Sequence, residues 1–242
     1  MRTIILGDGP MGWAIAAAAS QRGERTPVLG RPAISRHDPV VFDGVDVVID
    51  ASRGEAVRPN IEVAAAAGVR RFVIATTGWA ADRDAAEAAL HAHGATAVVA
   101  PNLSLGVALF ARLVEVATTL FASADGFDPY LVEWHRRAKA DRPSGTALDL
   151  AARIVARHPD LRDAADLETV AIRAGSSPGM HLVGFDAAGE TIELRITARD
   201  RSAYAAGALA ASDWLRRADR SPGIHTFDPV VDELLARPAA AA

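Results

Sequence analysis

Two residues of the run YLVEWH, Glu133 and His135, are of types that hold and move protons. The run alternates like a β-strand, so residues two apart share a face, and a carboxylate beside an imidazole orients or charges it. His135 is therefore the candidate general acid. Lys139 follows in a short connection and is the one lysine in a chain with 25 arginines. A guanidinium serves most basic positions, whereas a compact ammonium reaches a confined point, where it neutralises a carboxylate or a charge that develops during reaction. Ser144, Gly145 and Thr146 come directly after Pro143 and open a predicted helix. Ser144 is its candidate N-cap, and the free amides behind it suit a substrate carboxylate.

A second set lies at the start of the chain. In GDGPMG, Gly7, Gly9 and Gly12 fill the G-x-G-x-x-G positions, with Pro10 and Met11 between them, after a predicted strand and at the opening of a predicted helix. Glycines in that context give a tight turn, a close backbone approach to a pyrophosphate and tight helix–strand packing. An acidic residue about 20 positions on normally binds the ribose 2′-hydroxyl of NAD. The second strand ends instead at Gly30 and Arg31, without a nearby carboxylate, and a guanidinium attracts a 2′-phosphate. The expected cofactor is NADPH, with NADH the alternative. Thr76 and Thr77 follow the fourth strand and Asn102 the fifth, at the carboxyl edge where open α/β sheets bind ligands.

These residues need a scaffold, and the pattern supplies one. Strands are expected at Arg2–Leu6, Thr26–Leu29, Asp46–Asp50, Phe72–Ala75 and Ala97–Ala100, alternating with helices at Met11–Gln21, Glu55–Ala67 and Asp82–His93. That order implies a doubly wound parallel sheet of the Rossmann type. A longer helix, Ser104–Leu120, leads through a polar stretch to strands at Tyr130–His135, Glu168–Arg173, His181–Asp186 and Thr191–Ala198, with one helix at Gly145–Arg157. The last three strands have no helix between them, so this part reads as a smaller α+β domain with a mixed, mostly antiparallel sheet. The expected division is 1–106 for the dinucleotide domain, 107–206 for the substrate and oligomerisation domain, and 207–242 for a C-terminal segment returning to the first.

Composition narrows the classes. With 242 residues, half of them hydrophobic, the chain can build a sizeable core, and with no cysteine it offers neither disulfides nor thiolate metal sites. No metal site is expected. A strand starting at Arg2 leaves no room for a secretory leader, and apolar stretches such as Ala14–Ala19 and Val63–Ala67 fall short of the roughly 20 residues of a membrane helix. A cytoplasmic protein without a membrane partner is expected. The 26 basic and 30 acidic residues give no charge excess for nucleic acid, so the partner is read as a small anionic substrate.

The stretch VEWHRRAKADRPSGTAL, Val132–Leu148, resembles the signature of the 4-hydroxy-tetrahydrodipicolinate reductases, lysine-pathway enzymes that reduce a cyclic dicarboxylate with NAD(P)H. VVIDAS (Val47–Ser52), TTG (Thr76–Gly78), APNLSLGV (Ala100–Val107) and the Arg173–His181 stretch resemble that family in the same order. The likeness implies a homotetramer assembled through the second domain and His135 as proton donor. It further implies that Lys139 and Ser144–Thr146 bind substrate, and that Ala75, Thr76, Thr77, Ala100, Asn102 and Leu103 lie by the nicotinamide, Thr77 also touching substrate.

Several positions depart from the family pattern. Arg136 stands where the family has a second histidine, and as a guanidinium it could clamp a carboxylate bidentately but not donate as a neutral group. The glycine loop is one residue short, with Pro10 for an arginine. Ser176 replaces an aspartate, and Ile196 stands where a histidine is common. Two other readings follow: the same chemistry on another imine or unsaturated acid in specialised metabolism, and a non-catalytic dinucleotide-sensing module.

Overall fold

The structure, a computed structural model, describes residues 2–30 and 39–236. Four short runs, apolar but for one residue at an end of each, make the central strands β1 (Thr3–Leu6), β3 (Val47–Asp50), β4 (Arg71–Ile74) and β5 (Thr96–Val99), and such two-sided burial is what a parallel sheet covered on both faces demands. With β2 (Val28–Leu29) and β10 (Gly223–His225) they form a six-stranded sheet in the order β10-β5-β4-β3-β1-β2, parallel at every pairing. The helices α1 (Pro10–Gln21), α2 (Gly54–Ala66) and α3 (Arg83–Ala92) connect successive strands. This is the doubly wound Rossmann arrangement, and strands β4 and β5 end one residue before Ala75 and Ala100, which lie in the turns beyond them.

The chain divides into two compact units: the described residues of 1–105 with those of 201–242, and Gly106–Asp200. The first regains the chain through α6 (Ser202–Arg217), β10 and α7 (Asp228–Leu235). The three residues of β10 add an edge strand beside β5 that the tail's composition does not announce.

In the second unit, α4 (Leu105–Ala122) precedes β6 (Asp128–His135), and α5 (Gly145–Val155) precedes β7 (Glu168–Arg173), β8 (Met180–Ala187) and β9 (Glu190–Thr197). The sheet order is β7-β6-β8-β9, with β6 and β7 parallel and the other pairs antiparallel, a mixed sheet. One face packs on the helices: Leu131, Val183 and Phe185 meet Phe110, Ala111 and Val114 of α4 and Ala147, Leu150 and Ile154 of α5. The other face leaves Trp134, Val170 and Ile172 exposed.

At 18 residues and a mean hydropathy of 1.7, α4 corrects the expectation that no segment is apolar enough to cross a membrane: by length and composition it is. Stretches such as Ala14–Ala19 understate it because its apolar run is interrupted only by Arg112, Glu115, Thr118 and Thr119. Its buried face, Phe110, Ala111, Val114 and Thr118, instead packs in the core of this unit.

Candidate active site

In the first unit the glycine loop is built from backbone. Gly7 has φ +109° and lies so close to Ala51 that a side chain there would strike the Ala51 carbonyl; a side chain on Gly12 would strike the carbonyl of Gly7. Gly9 is the N-cap of α1 with no side-chain cap, and a side chain added there would meet open space. Pro10 at the helix start removes one donor that would have no intrahelical partner, and Met11 and Gly12 follow it. Uncapped amides facing open space fit a diphosphate, so Gly7, Gly9, Pro10, Met11 and Gly12 are the residues that would hold one.

The turn after β3 is fixed by Asp50, 1% exposed. Its Oδ1 accepts from Ser52 N at 3.0 Å, Ser52 Oγ at 2.7 Å and Thr76 Oγ1 at 2.7 Å, and its Oδ2 from Asn60 Nδ2 at 2.8 Å. The Thr76 hydroxyl thus binds the neighbouring strand end, while Thr77 beside it is exposed. Asn102 Oδ1 accepts from Ser104 N at 2.9 Å, which shapes the turn that carries the buried Leu103. Asp50 and Asn60 are missing from the sequence-predicted site; an aspartate ending an otherwise apolar strand is the signal that points to them.

Arg31 lies outside the described residues. At Gly30, however, an added methyl would meet Asp8 Oδ2 at 2.5 Å. The expectation of no carboxylate near the end of β2 is therefore corrected: Asp8 of the glycine loop brings one there, because Gly7 N donates to Leu29 O at 2.8 Å and ties the loop to that strand.

In the second unit, side chains make the site. Register places Glu133 opposite His181 across β6/β8 and His135 opposite Arg173 across β6/β7, all on the helix-covered face. Glu133 is fully buried; its Oε1 accepts from Arg173 Nη2 at 2.6 Å and from Ser144 N at 3.0 Å. Its Oε2 lies 3.3 Å from His135 Nε2 and 3.6 Å from His181 Nε2, ion-pair contacts that leave Oε2 and His135 Nε2 short of a well-formed hydrogen bond. Burial alone would push the Glu133 carboxyl up, but the interactions with His135, Ser144 and Arg173 hold it far below the usual carboxylate range. It is a fixed negative charge.

The three donors Glu133, His135 and His181 come within 4.8 Å of one another, a spacing a divalent cation could use. The carboxylate already carries the Arg173 guanidinium and the Ser144 amide, so the cluster reads as a proton-holding one. Gly179, at φ +153°, lets its backbone approach His135: an added methyl would lie 2.9 Å from Cε1 of the imidazole.

Ser144 caps α5, its Oγ accepting from Ala147 N at 3.2 Å, and Gly145 and Thr146 form the first turn. Lys139 Nζ donates to both Asp141 oxygens, at 2.7 and 2.8 Å. Burial opposes charge on Asp141, yet the Lys139 hydrogen bonds keep its carboxyl below the ordinary value. Arg173 Nη2 also donates to Asp141 O at 2.5 Å, and Arg136 N donates to Ser177 O at 2.8 Å, which pins the 136–141 connection. The Arg136 side chain is exposed, and Ile196 faces His181 across β8/β9. Arg173 and His181 are absent from the predicted site set; the family-like RAG…H stretch carried them, without a role.

A parallel sheet whose first turn is a glycine cradle, joined in one chain to a buried imidazole–carboxylate pair, is the equipment of a pyridine-nucleotide-dependent reductase. Residues 1–103 match the family model "Dihydrodipicolinate reductase, N-terminus" and residues 106–231 the model "Dihydrodipicolinate reductase, C-terminus". The chain belongs to the dihydrodipicolinate reductase family.

Similar proteins include the 4-hydroxy-tetrahydrodipicolinate reductases of Archaeoglobus fulgidus, 36% identical over 84% of this chain and 82% of the relative, and of Myxococcus xanthus, 38% identical over 77% and 72%. Among solved structures, a dipicolinate-bound dihydrodipicolinate reductase from Paenisporosarcina sp. TG-14 covers 93% of this chain and 97% of its own at 18% identity, with a TM-score of 0.68. That likeness shows the shared fold.

Proposed function

We propose that this chain reduces 4-hydroxy-tetrahydrodipicolinate, or the dihydrodipicolinate that loss of water makes from it, to tetrahydrodipicolinate on the route to diaminopimelate and lysine. The observation that carries the reading is the buried Glu133–His135 pair beside the Ser144-capped start of α5, an acid next to an anion site within one unit. The relatives' activity supports the same substrate. When bound, the nicotinamide supplies a hydride.

His135, with Nε2 turned to the fixed charge of Glu133, holds the proton that balances the hydride and can donate it from Nδ1. The Gly145 and Thr146 amides, at the helix start that Ser144 caps, receive one substrate carboxylate, and Lys139 another once it exchanges Asp141 for it. Arg136, exposed beside them, completes the substrate contacts within this unit.

We assign the cofactor to the unit that contains Gly7–Gly12, with Ala75, Thr76, Ala100, Asn102 and Leu103 on the nicotinamide side, and the substrate to Gly106–Asp200. Two residues of opposite charge bear on cofactor choice: Arg31 favours the 2′-phosphate of NADPH, and the Asp8 carboxylate at Gly30 favours the free 2′-hydroxyl of NADH. The reading is an enzyme that takes both. The exposed Trp134, Val170 and Ile172 on the uncovered sheet face support a homotetramer closed through that face, and a cytoplasmic location belongs to the same reading. Oxidation of NADPH or NADH that depends on freshly generated 4-hydroxy-tetrahydrodipicolinate is the test; cofactor binding with no turnover of that substrate sinks the proposal.

A further inference from the structure

His181 is 4% exposed and reaches both the acid pair and the helix cap. Ser144 N and Arg173 Nη2 occupy Oε1. Ser144 Oγ accepts from Ala147 N and lies 3.2 Å from His181 Nε2. Ser144 is 3% exposed, so its hydroxyl hydrogen needs an acceptor, and a hydroxyl that already accepts from an amide is free to donate. His181 Nε2 takes that hydrogen only if it carries none of its own, which makes the ring neutral with its proton on Nδ1. A bare Nε2 gives nothing to Glu133 Oε2, 3.6 Å away, and leaves that oxygen to His135 at 3.3 Å.

We propose that His181 is a positioning residue, a neutral imidazole that accepts the Ser144 hydroxyl, sets the start of α5 for the substrate carboxylate and reserves Glu133 Oε2 for His135. The groups that face it are Glu133 and His135 from β6, Arg173 from β7, Lys139 from the connection and Ser144 at the helix start, with apolar Ile196 beside it on β9. Burial pushes the His181 imidazole below its ordinary value, and the positive charges of His135 and Lys139 act the same way, against the pull of Glu133. The assignment of substrate to this helix start rests on the function proposed above; the state of the ring does not.

The experiment uses the full chain. Nitrogen-15 NMR of wild type, with the His181 signal identified by its loss in His181→Gln, reads the tautomer without any substrate; a neutral ring protonated on Nδ1 near neutral pH is expected. In steady-state kinetics, His181→Leu raises KM for the substrate about five- to tenfold, the loss of one hydrogen bond, with kcat within about threefold. His181→Gln, whose amide oxygen can accept the Ser144 hydroxyl, restores KM. A proton on Nε2 or an imidazolium in wild type overturns the proposal, as does a fall in kcat with KM unchanged, an unchanged KM in His181→Leu, or a His181→Gln variant no better than the leucine one. Should His181→Leu not fold, the tautomer and the KM of His181→Gln, expected near wild type, decide. If wild type turns over no such substrate, the functional reading fails and the tautomer still tests the arrangement around Ser144.

Discussion

The glycine loop and the Glu133 cluster both manage charge, with opposite materials. At Gly7–Gly12 the working groups are backbone amides at a helix start, and every required residue lies within six positions of sequence. Around Glu133 the working groups are side chains from β6, β7, β8 and the start of α5, and the most distant, Glu133 and His181, are 48 positions apart. A backbone cradle needs only small residues and tolerates many neighbours. A buried carboxylate costs several kcal/mol to desolvate, so it persists only where each oxygen finds its donors, and the cluster is as exacting as its least placed member.

The comparison predicts that the two sites fail separately. The largest effect on activity belongs to His135→Ala, which lowers kcat by roughly 10² or more while the dissociation constant for NADPH, measured by titration calorimetry, stays within about twofold of wild type. Loss of cofactor binding in that variant would break the separation.

On stability the largest effect belongs to Glu133→Ala, which strands the Arg173 guanidinium in the interior; breaking such a buried pair costs about 3–5 kcal/mol, read as a fall in the unfolding midpoint in urea. Glu133 has a folded-state pKa far below its unfolded value, so its contribution is full above the unfolded pKa and is lost as pH falls below it. His181, whose pKa is also lowered on folding, binds fewer protons folded than unfolded and acts in the same direction. The melting temperature of wild type therefore falls between about pH 7 and about pH 4, and His181→Gln flattens the upper part of that slope. A melting temperature that rises towards acid contradicts the cluster's charge assignment.

Lys139→Arg sharpens the comparison further, since it keeps the charge and changes its shape. A guanidinium pairs bidentately with Asp141 and gives it up less readily than an ammonium, so KM for the substrate rises by about tenfold without any change in cofactor affinity. Full activity of Lys139→Arg would mean that charge alone suffices there. The smallest effects are expected in cofactor choice: Asp8→Ala shifts the NADPH-to-NADH affinity ratio towards NADPH by a few-fold, and Arg31→Ala shifts it towards NADH, each the loss of one charge. Equal ratios in all three proteins remove both residues from cofactor choice.

What is local was legible in the sequence. Apolar runs of four to six residues between helical stretches dictate the parallel sheet, GDGPMG dictates the cradle, and the period of two in YLVEWH places Glu133 beside His135. What the sequence leaves open is what depends on register and on loops meeting. Nothing in GMHLVGF says that His181 will pair with Glu133 and not with a residue two along, because a strand's side-chain period is the same in every register. Nothing in GDG says that the Asp8 carboxylate will rest on Gly30, since that follows from the parallel pairing of β1 with β2. Nor does the tail announce β10, three residues whose strand character comes from docking beside β5. Tertiary structure decided these because each is a meeting of segments whose own preferences are silent about one another.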